Sequence, residues 1–195
     1  MIRQHNIPVV QIMDVEGDPL QSAVGISHTR AAAAAADYLI EKGYRKPAYI
    51  GAWSERPARS RARRLAFQQR LEDRGIALVA HLISSARSSA TIGTQVTEEI
   101  LLAHPGIDSI FYANDDLALG GMFHAMKAGM SIPDDLAILG FNGLEIGKAT
   151  PIQLSSIETP RFEMGSRAAE LLLTTQTEGP EVIDLNFEIF SGGST

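Results

Sequence analysis

One stretch constrains the architecture more than any other: Asp108 to Gly143, DSIFYANDDLALGGMFHAMKAGMSIPDDLAILGFNG. Ile107, Ile110, Phe111 and Tyr112 form a β-branched and aromatic run that reads as a buried strand. It stops at Ala113-Asn114-Asp115-Asp116, and a helix follows whose acidic first turn suits the positive end of its dipole. Gly129 closes that helix and Pro133 lies just beyond, the usual asymmetry of helix ends. A second apolar run, Leu136 to Leu139, leads into Gly140-Phe141-Asn142-Gly143. Two strands joined through a helix make a parallel unit. Asn114, Asp115 and Asn142 stand where strands end, and open parallel sheets bind ligands outside those carboxyl ends. The expectation is the edge of a small-molecule pocket.

The rest of the chain repeats the pattern. Strands are predicted over Asn6–Met13, Ala23–Ile26, Lys46–Gly51, Ile76–Ile83, Leu154–Ile157 and Val182–Phe190. Helices are predicted over Arg30–Lys42, Ala58–Arg74, Thr91–Leu102 and from Arg161 to near Thr175. Such alternation gives an α/β fold with a parallel sheet covered on both faces. Ser191 to Thr195 are expected to fray. The absence of cysteine excludes disulfides, thiolate metal sites and a cysteine nucleophile. A net charge of −6 argues against nucleic-acid binding by this chain alone. No signal peptide or membrane-length apolar run is legible, which points to a cytoplasmic protein with no membrane partner.

Three strings, ANDDLALGG, SIPDDLAILGFN and TPIQLSSIETPRFEMGSRAAELLL, resemble the effector-binding domain of lactose/galactose-repressor-type bacterial transcription regulators. The resemblance runs from about Ile7 to Phe190 and is strongest to the gluconate-utilisation repressors. It implies a parallel-sheet sandwich of the periplasmic-binding-protein-like type with two lobes. Residues 1–26 and 158–181 would belong to the first lobe, and residues 27–157 and 182–195 to the second. It implies a complete second lobe, a truncated first lobe, and a helix-turn-helix head missing before Met1. Operator DNA would then be bound only through that head. The implied partners are a sugar-acid effector such as gluconate and a second copy of the chain, with no cofactor. The alternative is a fragment of a periplasmic-type sugar-binding protein, which needs an export signal.

Candidate effector contacts each have a plainer reading beside them. Arg63 stands four residues before Phe67, at the arginine position of the resemblance, and a guanidinium fork can hold two oxygens at once. Its neighbours Arg59, Arg61 and Arg64 read as a solvated face. Asn114 matches an effector-contacting asparagine and also suits a helix cap. Asn142 stands where the family usually has an aspartate. A neutral amide there removes repulsion against an anionic ligand, or it is simply a turn residue before Gly143. Arg161 stands where some relatives place an apolar residue, and Ser88 where others place an aromatic. Both substitutions suit an anionic, open-chain polyol, although for most of the serines the plainer reading is a flexible surface loop. Asp14 ends a strand as a ligand contact or as turn chemistry.

The helix after Asn114 is apolar nearly all round, so one face needs a partner. Leu119, Met122, Phe123 and Met126 are the candidates for a symmetric dimer contact, against cover by another helix of the same chain. The five histidines share no metal-ligand spacing, and no phosphate loop, nucleophile elbow or acid/base pair is legible. An enzyme is not expected.

Overall fold

The structure, a computed structural model, describes residues 8–17, 19–53, 58–178 and 180–195. Asn6 and Ile7, the expected start of the first strand, lie outside the described residues, as do residues 54–57 of the expected loop Ala52–Pro57. The chain divides into two units, Met1–His28 with Thr159–Phe187, and Thr29–Glu158 with Glu188–Thr195. No helix among the described residues is long and apolar enough to cross a membrane.

Unit 1 holds a three-stranded parallel sheet, β1 (Val10–Asp14), β2 (Ser22–Ile26) and β8 (Val182–Asp184), in the order β1-β2-β8. Helix α6 (Arg161–Glu178) packs on β1 and β2. The central strand is buried throughout. Gly25 lies so close to β1 that a Cβ would stand 2.5 Å from the Asp14 nitrogen, which only glycine permits.

Unit 2 holds a six-stranded sheet, β3 (Pro47–Gly51), β4 (Ala80–Ile83), β5 (Ser109–Tyr112), β6 (Ala137–Asn142), β7 (Ser155–Glu158) and β9 (Glu188–Phe190). The order is β4-β3-β5-β6-β7-β9; only β9 runs antiparallel. Its helices are α1 (His28–Glu41), α2 (Ala58–Asp73), α3 (Ala90–Ala103), α4 (Asp115–Lys127) and the short α5 (Glu145–Lys148). Successive residues of β5 face opposite ways. Phe111 meets Tyr49 and Phe67 of α2, with ring centroids 5.7 and 5.0 Å away. Tyr112 turns to the other face, where its hydroxyl lies 2.9 Å from Thr97 Oγ1 of α3. The sheet is therefore covered on both sides, as the near-continuous apolar runs of its strands require.

Three sequence expectations are corrected here. The strand expected from Ile76 forms only from Ala80, because β3 begins at Pro47, which has no N–H to extend the ladder. The single strand expected over Val182–Phe190 is two: Val182–Asp184 pairs with β2 in unit 1, and Glu188–Phe190 pairs with β7 in unit 2. Ser191–Thr195 do not fray. Strand β7 meets β6 only from Leu139↔Ser155 onward, so the Ile138 N–H lacks a strand partner, and it donates to Ser194 O at 2.7 Å. The Ser194 hydroxyl donates to Ile138 O at 2.6 Å and accepts from Ser155 N at 2.8 Å. Thr195 Oγ1 lies 2.7 Å from both Ser155 Oγ and Tyr38 OH.

Candidate functional site

After β3 the chain places β4 on one side of it and then β5 on the other. The connections leaving the carboxyl ends of β3 and β5 diverge, and a crevice opens at such a switch point. Four sequence-predicted residues, Arg63, Ser88, Asn114 and Asn142, stand on the elements that leave this edge of unit 2.

Arg63 reaches the edge because of helical spacing. Ser60, Arg63, Phe67 and Leu71 are the buried positions of α2, three and four residues apart on one face. Arg61 falls on the opposite face and is exposed, while Arg59, four residues before Arg63, lies at the flank of the buried face and is half-buried. The Arg63 side chain is only 6% exposed. Its Nη2 donates to Ala113 O at 2.9 Å, just past the end of β5, and to Ser60 Oγ at 3.4 Å. Its guanidinium carbon lies 4.1 Å from the centroid of the buried Phe141 ring, a cation–π contact that offsets part of the desolvation.

Asn114 does two jobs with one amide. Its Oδ1 accepts from Leu117 N at 3.1 Å and caps α4, while its Nδ2 donates to Ser88 Oγ at 2.8 Å. The serine-rich loop is correspondingly tied down. Ser84 Oγ accepts from Ala86 N at 3.1 Å, and Ser89 Oγ caps α3 by accepting from Ile92 N at 3.2 Å.

Asp115 is fully buried; it accepts from Leu144 N at 2.6 Å and from Ser156 Oγ at 2.7 Å. Burial pushes its carboxyl above the usual range, and those hydrogen bonds, with one from the Phe141 backbone, pull it back. It therefore holds the β6 end loop from within. Asn142, the last residue of β6, has φ 117°, a conformation that asparagine and aspartate adopt more readily than other side chains. The next residue, Gly143, donates its N–H to Ser156 Oγ at 3.1 Å.

Asp14 and Arg161 belong to unit 1. Asp14 ends β1, and its Oδ1 accepts from Glu16 N at 2.9 Å, so turn chemistry is present there. Arg161 is exposed at the first residue of α6, its N–H donating to Thr159 O at 2.8 Å.

Two residues that the sequence reading missed join the edge of unit 2. Trp53, just after β3, has φ 59° and donates its backbone N–H to Ala86 O at 2.7 Å. It is 38% exposed, and the Arg87 guanidinium carbon lies 5.1 Å from its ring centroid. A lone tryptophan in a strand-end loop was the available signal.

On α4, Leu119 and Met122 are buried, at 6% and 1% exposed, and the helix crosses α3 at backbone contact through Gly93 and Gly120. Cover from the same chain thus accounts for these two candidates. Phe123 and Met126 keep 50% and 47% exposure. No group of His, Asp or Glu among the described residues is placed to hold a metal ion.

The family described as periplasmic binding protein-like domain matches residues 36–195. The HTH-type transcriptional regulator GntR of Pseudomonas aeruginosa is 38% identical over 200 residues, covering 100% of this chain. The chain spans 57% of that relative's length. The crystal structure of the transcription regulator GntR from Chromobacterium violaceum superposes with a TM-score of 0.92 at 30% identity, covering 99% of this chain and 72% of that one. A LacI-family regulator from Silicibacter pomeroyi gives a TM-score of 0.91 at 31% identity, covering 97% of this chain and 58% of its own.

Proposed function

Since the chain belongs to the periplasmic binding protein-like family, among the LacI-family transcription regulators, we propose that it is the effector-sensing and dimerising part of a repressor of sugar-acid utilisation. The effector is gluconate or a related open-chain sugar acid. Operator DNA is bound through the helix-turn-helix of the longer protein, in the cytoplasm.

One observation carries the reading. A neutral amide, Asn142, ends β6 next to Phe141, and Phe141 carries the buried Arg63 guanidinium on its face. The backbone at Asn142 suits asparagine and aspartate alike. The choice between them is therefore free to follow the ligand, and an uncharged group accommodates an anion that a carboxylate would repel. Calorimetric titration of the chain with gluconate and with sorbitol tests this. The expected result is clear preference for the acid; preference for the neutral polyol contradicts it.

Dimerisation is assigned to the outer face of α4. Phe123 and Met126 lie three residues apart on one helical face, and both keep large apolar surface. A symmetric contact would remove it from water. Phe123→Asp is expected to give monomers in sedimentation velocity while leaving the fold intact, since the residue is half-exposed. A variant that still sediments as a dimer places the contact elsewhere.

A further inference from the structure

We propose that Arg87, held over the Trp53 ring, is a second cationic contact for the effector and fixes the orientation of its carboxylate. This rests on the reading of the unit 2 strand-end edge as the effector site.

The argument follows a continuous chain of contacts. The Arg63 Nη2 donates to the carbonyl of Ala113 at 2.9 Å. The next residue, Asn114, donates through its side chain to Ser88 Oγ at 2.8 Å. The residue before Ser88 is Arg87, which lies 5.1 Å from the Trp53 centroid. The Ala86 carbonyl in turn accepts the Trp53 N–H at 2.7 Å. One arginine thus contacts the residue before Asn114, and the other is the residue before Ser88, the two partners of that hydrogen bond. The two differ in kind. Arg63 is buried and commits donors to protein oxygens. Arg87 is exposed, and its guanidinium carbon lies over the Trp53 ring in a cation–π contact.

That division suits a ligand with one charged end. Arg63, Ser88 and Asn114 present a polar edge suited to hydroxyls. Arg87 presents a bidentate fork suited to a carboxylate. Trp53 limits the rotamers of Arg87, so less entropy is lost when the fork engages. Trp53 is itself held in the left-handed region, φ 59°, a conformation that a bulky residue rarely adopts. The Ala86 carbonyl fixes it there, with its ring under Arg87.

The test uses Trp53, the only tryptophan of the chain, as its own probe. Wild type, Arg87→Gln and Arg87→Lys are titrated with gluconate and with sorbitol, following both heat and tryptophan emission. Gluconate is expected to change the emission of the wild type. Arg87→Gln is expected to weaken gluconate by ~10-fold or more, as loss of a charge-assisted contact does, and sorbitol by less than about 2-fold. Arg87→Lys restores part of the loss. Because Arg87 is exposed, the unfolding midpoint of each variant is expected to match the wild type. If wild type binds gluconate but Arg87→Gln weakens both ligands equally, or neither, Arg87 is a loop brace and the proposal fails while the effector reading stands. If wild type binds no gluconate, both fail together.

Discussion

Gly120→Val is expected to lower the unfolding free energy by about 3 kcal/mol or more, the largest stability loss of any single change considered for this fold. A Cβ at Gly120 would lie 2.1 Å from Ala90 O, 2.6 Å from Thr94 N and 2.7 Å from Gly93 Cα. A Cβ at Gly93 would stand 2.3 Å from Leu117 O. The two helices therefore cross backbone on backbone, and no flexible side chain can move aside. The Thr94 hydroxyl reinforces the crossing by donating to Gly120 O at 3.0 Å. A loss of this size is a large fraction of the ~5–15 kcal/mol that holds a domain together.

The functional consequence of Gly120→Val follows from the caps. Ser89 begins α3 and Asn114 begins α4, and Ser88 is bonded to Asn114 across the gap. Forcing the helices apart pulls that bond open, so effector binding falls with stability. Urea unfolding checks the first part, with an unfolding free energy within about 0.5 kcal/mol of wild type counting against it. Gluconate titration of the folded fraction checks the second.

The same crossing explains why the sequence revealed some features and hid others. The strand–helix–strand run around Asn114 was legible because its periods are local: alternating or continuous apolar strands, then a capped helix, then glycine. Arg63 stood out through the resemblance, at its arginine position four residues before Phe67. The close crossing of α3 and α4 depends on Gly93 lying against Gly120, two residues on different helices whose meeting no local period encodes. The anchored tail depends on Ser194 meeting Ser155 and Ile138, each far away in the chain, so a run of small polar residues reads as loose when its partners are distant. Trp53 and Arg87 escaped for the same reason, since the bond from Trp53 to Ala86 joins two strand-end loops. Val182–Phe190 is one apolar run in sequence, and only its partners, β2 and β7, divide it.

The largest expected effect on binding is at Asn142. Asn142→Asp changes one atom's identity and adds one charge. Its φ of 117° is as accessible to aspartate as to asparagine, so the backbone of the β6 end is expected to hold. Glu158, its register partner on β7, is ion-paired with Lys148, which limits the repulsion a new carboxylate would meet within the protein. A bound sugar acid has no such shelter. Two unit charges even ~8 Å apart feel ~2 kcal/mol at intermediate dielectric, a ~30-fold loss, so the carboxylate need not touch residue 142 for the variant to repel it. A neutral polyol carries no charge to repel, and aspartate still accepts hydrogen bonds from its hydroxyls. Calorimetric titration of Asn142→Asp beside wild type, with gluconate and sorbitol in parallel, measures this difference directly. The account predicts that the variant loses gluconate affinity by ~30-fold or more while its sorbitol affinity stays within a few-fold. An unchanged ratio of the two affinities would contradict it and return Asn142 to the role of a turn residue before Gly143.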